Sequence, residues 1–153
     1  MKTRTLSPDL SRTASRNKDT GEHWICAGHY DPDFADAVCD SLEELATLKP
    51  GWDGYGAPAI RRDIIDAVKA FVRALPESLA YRPRVVPMST GNLQLEWHHG
   101  SKILELEFES PKLIHFLQWH PEAGLEEEDT ISGSDTESAV ELIQWFMSGT
   151  TCV

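Results

Sequence analysis

The chain has 153 residues, 41% of them apolar, with five Trp and five Phe, enough for one domain with a core of its own. Its net charge of −11 argues against direct nucleic-acid binding, because phosphate contacts need clustered Lys and Arg, and no apolar run reaches the roughly 18 residues of a membrane span. The leading residues MKTRTLSPDLSRTASRNKDTGEH lack the apolar middle of a secretory signal, and three cysteines without CxxC spacing, Cys26, Cys39 and Cys152, read as reduced thiols, so a cytoplasmic protein is expected.

Residues 1–22 are polar and without periodicity and are predicted to be a flexible tail, residues 23–149 a single α+β domain, and residues 150–153 a second short tail. HWICAG, residues 23–28, is a short apolar run that suits an edge strand. Asp31 and Pro32, a capping residue and a first-turn proline, predict a helix that buries Phe34, Ala37, Val38, Leu42 and Leu45 and stops before Pro50 and Gly51. A second helix is predicted after Pro58. It has Ile60, Ile64, Val68, Phe71, Val72 and Leu75 on one stripe, Arg61, Arg62, Asp66, Lys69 and Arg73 on the other, and Pro76 at its end.

From Arg82 the apolar period shortens to two. PRVVPM, NLQLEWH, KILELEFE and LIHFLQWH read as successive strands joined by residues 89–92, by the turn at His99, Gly100 and Ser101, and by residues 110–112. Pro83 and Pro87 cannot donate ladder hydrogen bonds, which places the first of these strands at an edge. If the first complete hairpin keeps an even register, Leu93, Leu95 and Trp97 share a core face with Leu104, Leu106 and Phe108, while the face of His115 depends on whether the turn before it has two or three residues. The acidic stretch 121–133 reads as a link. After it, Ser134 and Glu137 form a capping-box pattern opening a third helix with Ala139, Val140, Ile143, Phe146 and Met147 apolar and Gly149 at its close. The expected fold is α+β, a three- to four-stranded antiparallel meander with three helices packed on one face.

KPGWDGYGAP, residues 49–58, reads as a structural joint between the first two helices. Its glycines permit positive φ, Trp52 and Tyr55 are large enough to plug the joint, and Asp53 can accept bonds from the loop's own amides. No Gly-Lys-Ser/Thr follows, so it is not a phosphate loop. LKPGWDGYGAPAI and VVPMSTGNLQLEWHHGSKILELEFE together resemble a group of small bacterial proteins with a GWDGxGAP segment followed by a proline-flanked strand and an LEW hairpin. The likeness covers about half the chain. That group has no assigned activity, so the resemblance implies one bacterial domain and transfers no site residue.

Two constellations carry metal chemistry in principle. Gln94, Glu96 and His98 lie near Glu105, Glu107 and Glu109 on the outward face of the sheet, where carboxylates beside a histidine suit a divalent ion or acid–base work. The same alternation marks an ordinary sheet with one solvated face, which is the expectation here. His23, Cys26, His29 and Cys39 offer zinc-ligand chemistry at a spacing unlike the usual knuckles, so no metal and no cofactor are expected. No GxSxG or HExxH occurs, and enzyme status has no positive signal.

Charge is segregated. Residues 31–44 carry six acids and no base, residues 122–141 eight acids and no base, and Arg61, Arg62, Lys69, Arg73, Arg82 and Arg84 make a basic middle. The expected function is that of a non-enzymatic accessory, immunity or antitoxin-like protein. It binds another protein with a basic surface through Glu126, Glu127, Glu128 and Asp129, with Arg61 and Arg62 as a second candidate surface. The alternatives are a metal-dependent enzyme using Glu96, His98, Glu105 and Glu107, and an acidic DNA-mimic inhibitor.

Overall fold

The computed structural model describes residues 15–17, 23–25, 31–79 and 81–148. Two short strands, β1 (Ser15–Asn17) and β2 (His23–Ile25), pair antiparallel in a sheet of their own. The first falls within the stretch read as a tail, the second within the predicted strand at 23–28. Gly149 and residues 150–153 lie outside the described residues.

Helix α1 (Phe34–Leu45) buries Phe34, Val38, Cys39 and Leu42. Its N-cap is Asp33, not Asp31. The Asp31 carboxylate instead accepts a hydrogen bond from the Asp33 amide at 3.0 Å, fixing the approach to the first turn. Helix α2 (Arg62–Ala74) starts later than Pro58 suggests, because Arg61 is still extended at ψ 133° and Ile60 reaches the core from outside the helix. Ile64, Ile65, Val68, Phe71 and Val72 fill its inner stripe. The outer stripe meets α1 through charge: Glu43 pairs with Arg62 and Lys69, and Asp36 with Arg73.

The main sheet has five strands, one more than the most the sequence suggests: β3 (Arg84–Pro87), β4 (Leu93–His99), β5 (Lys102–Ser110), β6 (Leu113–His120) and β7 (Leu125–Ser132). They run antiparallel in chain order, with β3 and β7 at the edges. The expected link at 121–133 is therefore corrected to a short 3-10 turn, Pro121–Ala123, followed by β7. LEEEDTIS hides its strand because neither of its faces is buried, so no apolar alternation develops, and acids have low strand preference; pairing with β6 overrides both. The β5–β6 turn has two residues, Pro111 and Lys112, with a register shift between Phe108 and Ser110. This sets His115 opposite Glu107.

One face of the sheet makes the core. Leu93, Leu95, Trp97, Leu104, Leu106, Phe108 and Ile114 cluster with the inner stripes of α1, α2 and the last helix, α3 (Thr136–Met147). The Phe71 and Phe108 rings meet edge to face at 5.3 Å, and the Trp97 indole donates to the Tyr81 carbonyl at 2.8 Å. The cap of α3 lies one residue beyond the predicted box. Asp135 accepts from the Ser138 amide at 3.0 Å and from its hydroxyl at 2.7 Å, because Ser132 and Ser134 are used by the preceding turn. At the other end Lys102 donates to the carbonyls of Trp145 at 2.6 Å and Ser148 at 2.7 Å, tying the C-terminus of α3 to the start of β5. Gly133, between β7 and α3, lies so close to the β5–β6 turn that a Cβ there would meet the Pro111 carbonyl oxygen at 2.0 Å. No helix among the described residues is long and apolar enough to cross a membrane.

Candidate functional site

The face of the sheet away from the helices is ordered by strand register into three cross-strand rows. The central row runs Arg84, Glu96, Glu105, Leu117 and Glu128. On one side of it lie Val86, Gln94, Glu107, His115 and Thr130, and on the other His98, Ile103, Trp119 and Glu126. The alternation of LQLEWH against KILELEFE produces this directly, since residues two apart share a face.

The expected solvated face is not what the middle of this surface holds. Gln94 is 2% exposed, and Glu96 and Glu105 are 8% exposed each. Alternating apolar and polar residues look the same in sequence whether the polar side is wet or covered, so burial here was not legible. A buried carboxylate needs partners. Glu96 accepts a hydrogen bond from the Gln94 amide at 2.7 Å on Oε1. Its Oε2 lies 2.8 Å from Arg84 Nη2 and 3.5 Å from His98 Nε2, yet neither contact has the alignment of a hydrogen bond, and both Oε2 and His98 Nε2 are buried without one. Burial holds the His98 imidazole below the ordinary histidine range; the Glu96 charge opposes this and the Arg84 charge reinforces it. Burial therefore favours the neutral imidazole, the form that keeps a lone pair. Ligand atoms of Glu96, His98 and Glu105 all lie within 4.8 Å of one another. A third orphan atom, His99 Nδ1, belongs to the core-facing side of β4.

Glu107, the fourth member of the predicted group, is set apart from the other three by its row and accepts from Asn92 Nδ2 at 3.1 Å. Glu109 pairs with His115 outside the cluster. Arg84 is the residue that the sequence reading left out of the group. The edge placement of its strand was legible, but its position opposite Glu96 follows only from the register.

Toward β7 the same face forms a hollow of about 360 Å³ lined by Gln94, Glu105, Glu107, His115, Glu128 and Thr130. On the opposite face a hollow of about 290 Å³ is lined by Phe116, Gln118, Glu127, Ser138 and Glu141. The run Glu126, Glu127, Glu128 and Asp129 lies between them, exposed throughout and pointing alternately to the two faces. Arg61 and Arg62 stand at the start of α2 and are already engaged. Arg61 donates to the Glu109 carbonyl at 3.0 Å and pairs with Asp63, and Arg62 pairs with Glu43 and Asp66.

In the 49–58 loop, Asp53 accepts from the amides of Tyr55 at 2.8 Å and Ala57 at 3.0 Å. These bonds, Ala57 first, hold its carboxyl below the usual aspartate range. Gly54 and Gly56 take φ of 81° and 85°, which a side chain would oppose. Trp52 is half-buried against the core and donates to the Pro58 carbonyl at 2.9 Å. Tyr55 does not plug the joint as expected: it is 93% exposed, because Asp53 draws the backbone into a tight turn whose outermost residue it is. Of the zinc-like set, Cys39 is a buried free thiol in α1, while the side chains of His23, Cys26 and His29 lie outside the described residues.

Set against protein-family models, curated proteins and solved structures, the chain matches none of them.

Proposed function

We propose that this is a non-enzymatic, accessory or antitoxin-like protein that binds a basic partner protein along strand β7. The observation that carries the reading is the position of the acidic run on an eight-residue edge strand with a hollow on either side. Among the described residues β7 has one neighbour, β6, so its outer side offers ladder N–H and C=O groups to an added strand. Four consecutive acids repel a second copy of the same edge, since like charges directly opposite one another destabilise a strand pair. The same acids favour a strand rich in Lys or Arg, so one feature opposes self-association and selects the partner.

A peptide alternating Lys and Thr is the probe. Saturable binding that weakens with salt, together with new amide protection in residues 125–132, is the expected result. Replacing Glu126, Glu127 and Glu128 by Gln and Asp129 by Asn should slow association by about tenfold and flatten its salt dependence, because such charges act mainly on the on-rate. Indistinguishable curves for the two proteins would assign the acids to solubility alone.

A further inference from the structure

We infer that Glu96, His98 and Glu105 form a binding site for one first-row divalent cation, with zinc the best fit. The site lies in the central and outer rows of the sheet's second face and does not use the acids of β7.

Three observations carry this. First, Glu96 and Glu105 are direct cross-strand partners, two carboxyl groups set opposite each other where each residue is only 8% exposed, an arrangement that a bound cation would relieve. Second, two atoms of the cluster able to ligate a metal, Glu96 Oε2 and His98 Nε2, are buried, face each other and lack a hydrogen-bond partner. Third, the spacing is right for a shared ion. Bonds of about 2.0–2.2 Å to nitrogen and oxygen in a tetrahedron put neighbouring ligand atoms roughly 3.3–3.5 Å apart. Glu96 Oε2 and His98 Nε2 are 3.5 Å apart. Glu105 has a ligand atom within 4.8 Å of the other two and would exchange the interaction it already has for the ion. One imidazole with two carboxylates suits zinc, with manganese next as the share of oxygen ligands rises.

Arg84 is the natural competitor. Its guanidinium lies 2.8 Å from Glu96 Oε2 on a side chain that is 65% exposed, so it can neutralise Glu96 and also swing out into water when a cation arrives. A row that is merely a structural ion pair and a row that holds a metal therefore respond to Arg84→Ala in opposite ways.

The experiment uses the full chain without an affinity tag, stripped with chelator and titrated with Zn²⁺ by calorimetry and with Co²⁺ by visible absorption. One ion per chain and Co²⁺ bands of tetrahedral intensity are expected. His98→Ala and the near-isosteric Glu105→Gln should each weaken binding at least about tenfold, given that changes even in second-shell groups commonly cost 10–100-fold. Arg84→Ala should tighten it. Circular dichroism confirms that each variant is folded, and the Co²⁺ spectrum reports ligand identity independently of stability. The proposal is overturned if no saturable binding occurs below millimolar metal, if His98→Ala and Glu105→Gln bind as wild type does, if Arg84→Ala weakens binding, or if the ion is lost with His23→Ala or Cys39→Ala instead.

Discussion

Both faces of the main sheet bury side chains at their centre, and the polar ones do so for a different reason from the apolar ones. Under the helices, Leu93, Leu95, Trp97, Leu104 and Leu106 are fully buried, and each gains by leaving water. On the other face Gln94, Glu96 and Glu105 are nearly as buried, and for them leaving water is a cost unless something compensates. Apolar burial, which on the second face includes Ile103 and Leu117, accounts for the fold, whereas the burial of Gln94, Glu96 and Glu105 needs a further explanation. The comparison predicts a division of labour: apolar burial governs stability, and the buried polar row contributes little to it.

The strongest way to break that division is a pair of substitutions on neighbouring residues. Trp97→Ala should lower stability by about 3–5 kcal/mol in urea unfolding, the range for deleting a buried aromatic side chain. Glu96→Gln should cost no more than about 1.5 kcal/mol, since it relieves a like-charge pair while its amide can still accept from Gln94. Equal losses would mean that the second face is as structural as the first. Next comes Trp52→Ala, at about 2 kcal/mol. The side chain is half-buried, so the loss falls below that of a core aromatic.

A third test uses acid. The Asp53 carboxyl is held low by the Ala57 and Tyr55 amides, that of Asp135 by the Ser138 hydroxyl and amide, and that of Glu43 by Lys69 and Arg62. A depressed folded pKa gives stability that is present above the unfolded value and lost as pH falls through the folded one. Melting temperature should therefore hold near neutrality and drop below about pH 4. Asp135→Asn and Asp53→Asn should each flatten that drop; a slope unchanged in both would show that these loop and cap bonds do not form in solution. The smallest effect belongs to Tyr55→Ala, within about 0.5 kcal/mol, because an exposed side chain has nothing to lose on unfolding. A large drop in its melting temperature would mean that the loop packs differently.

How legible all this was in the sequence depended on whether a residue's partner lay nearby along the chain. Four strands and three helices follow from apolar period and turn residues, and the core row Leu93, Leu95, Trp97 against Leu104, Leu106, Phe108 follows from alternation once the hairpin register is even, as it is. Strand β7 was hidden because a strand exposed on both faces leaves no periodic trace. Glu96, His98 and Glu105 could be placed on one face, but neither their burial nor the approach of Arg84 is written locally. Both depend on the register of β3 against β4 and on what covers the sheet. The α3 cap differed by one residue because Ser134 and Asp135 are both competent, and the turn before them decides which is used.

Gly133 gives the edge strand a direction in which to come undone. Its amide donates to the Lys112 carbonyl at 2.9 Å, and it sits against Pro111 with no room for even a methyl group, so the C-terminal end of β7 is latched to the neighbouring turn by main chain alone. The opposite end begins after an exposed single turn whose own main-chain bond, Gly124 amide to Pro121 carbonyl at 3.0 Å, stays within the turn and does not reach a second turn as the Gly133 bond does. The strand should therefore unzip from Leu125 toward Ile131, with deuterium entering its first amides well before its last. A partner that adds to this edge would find its foothold at the latched end.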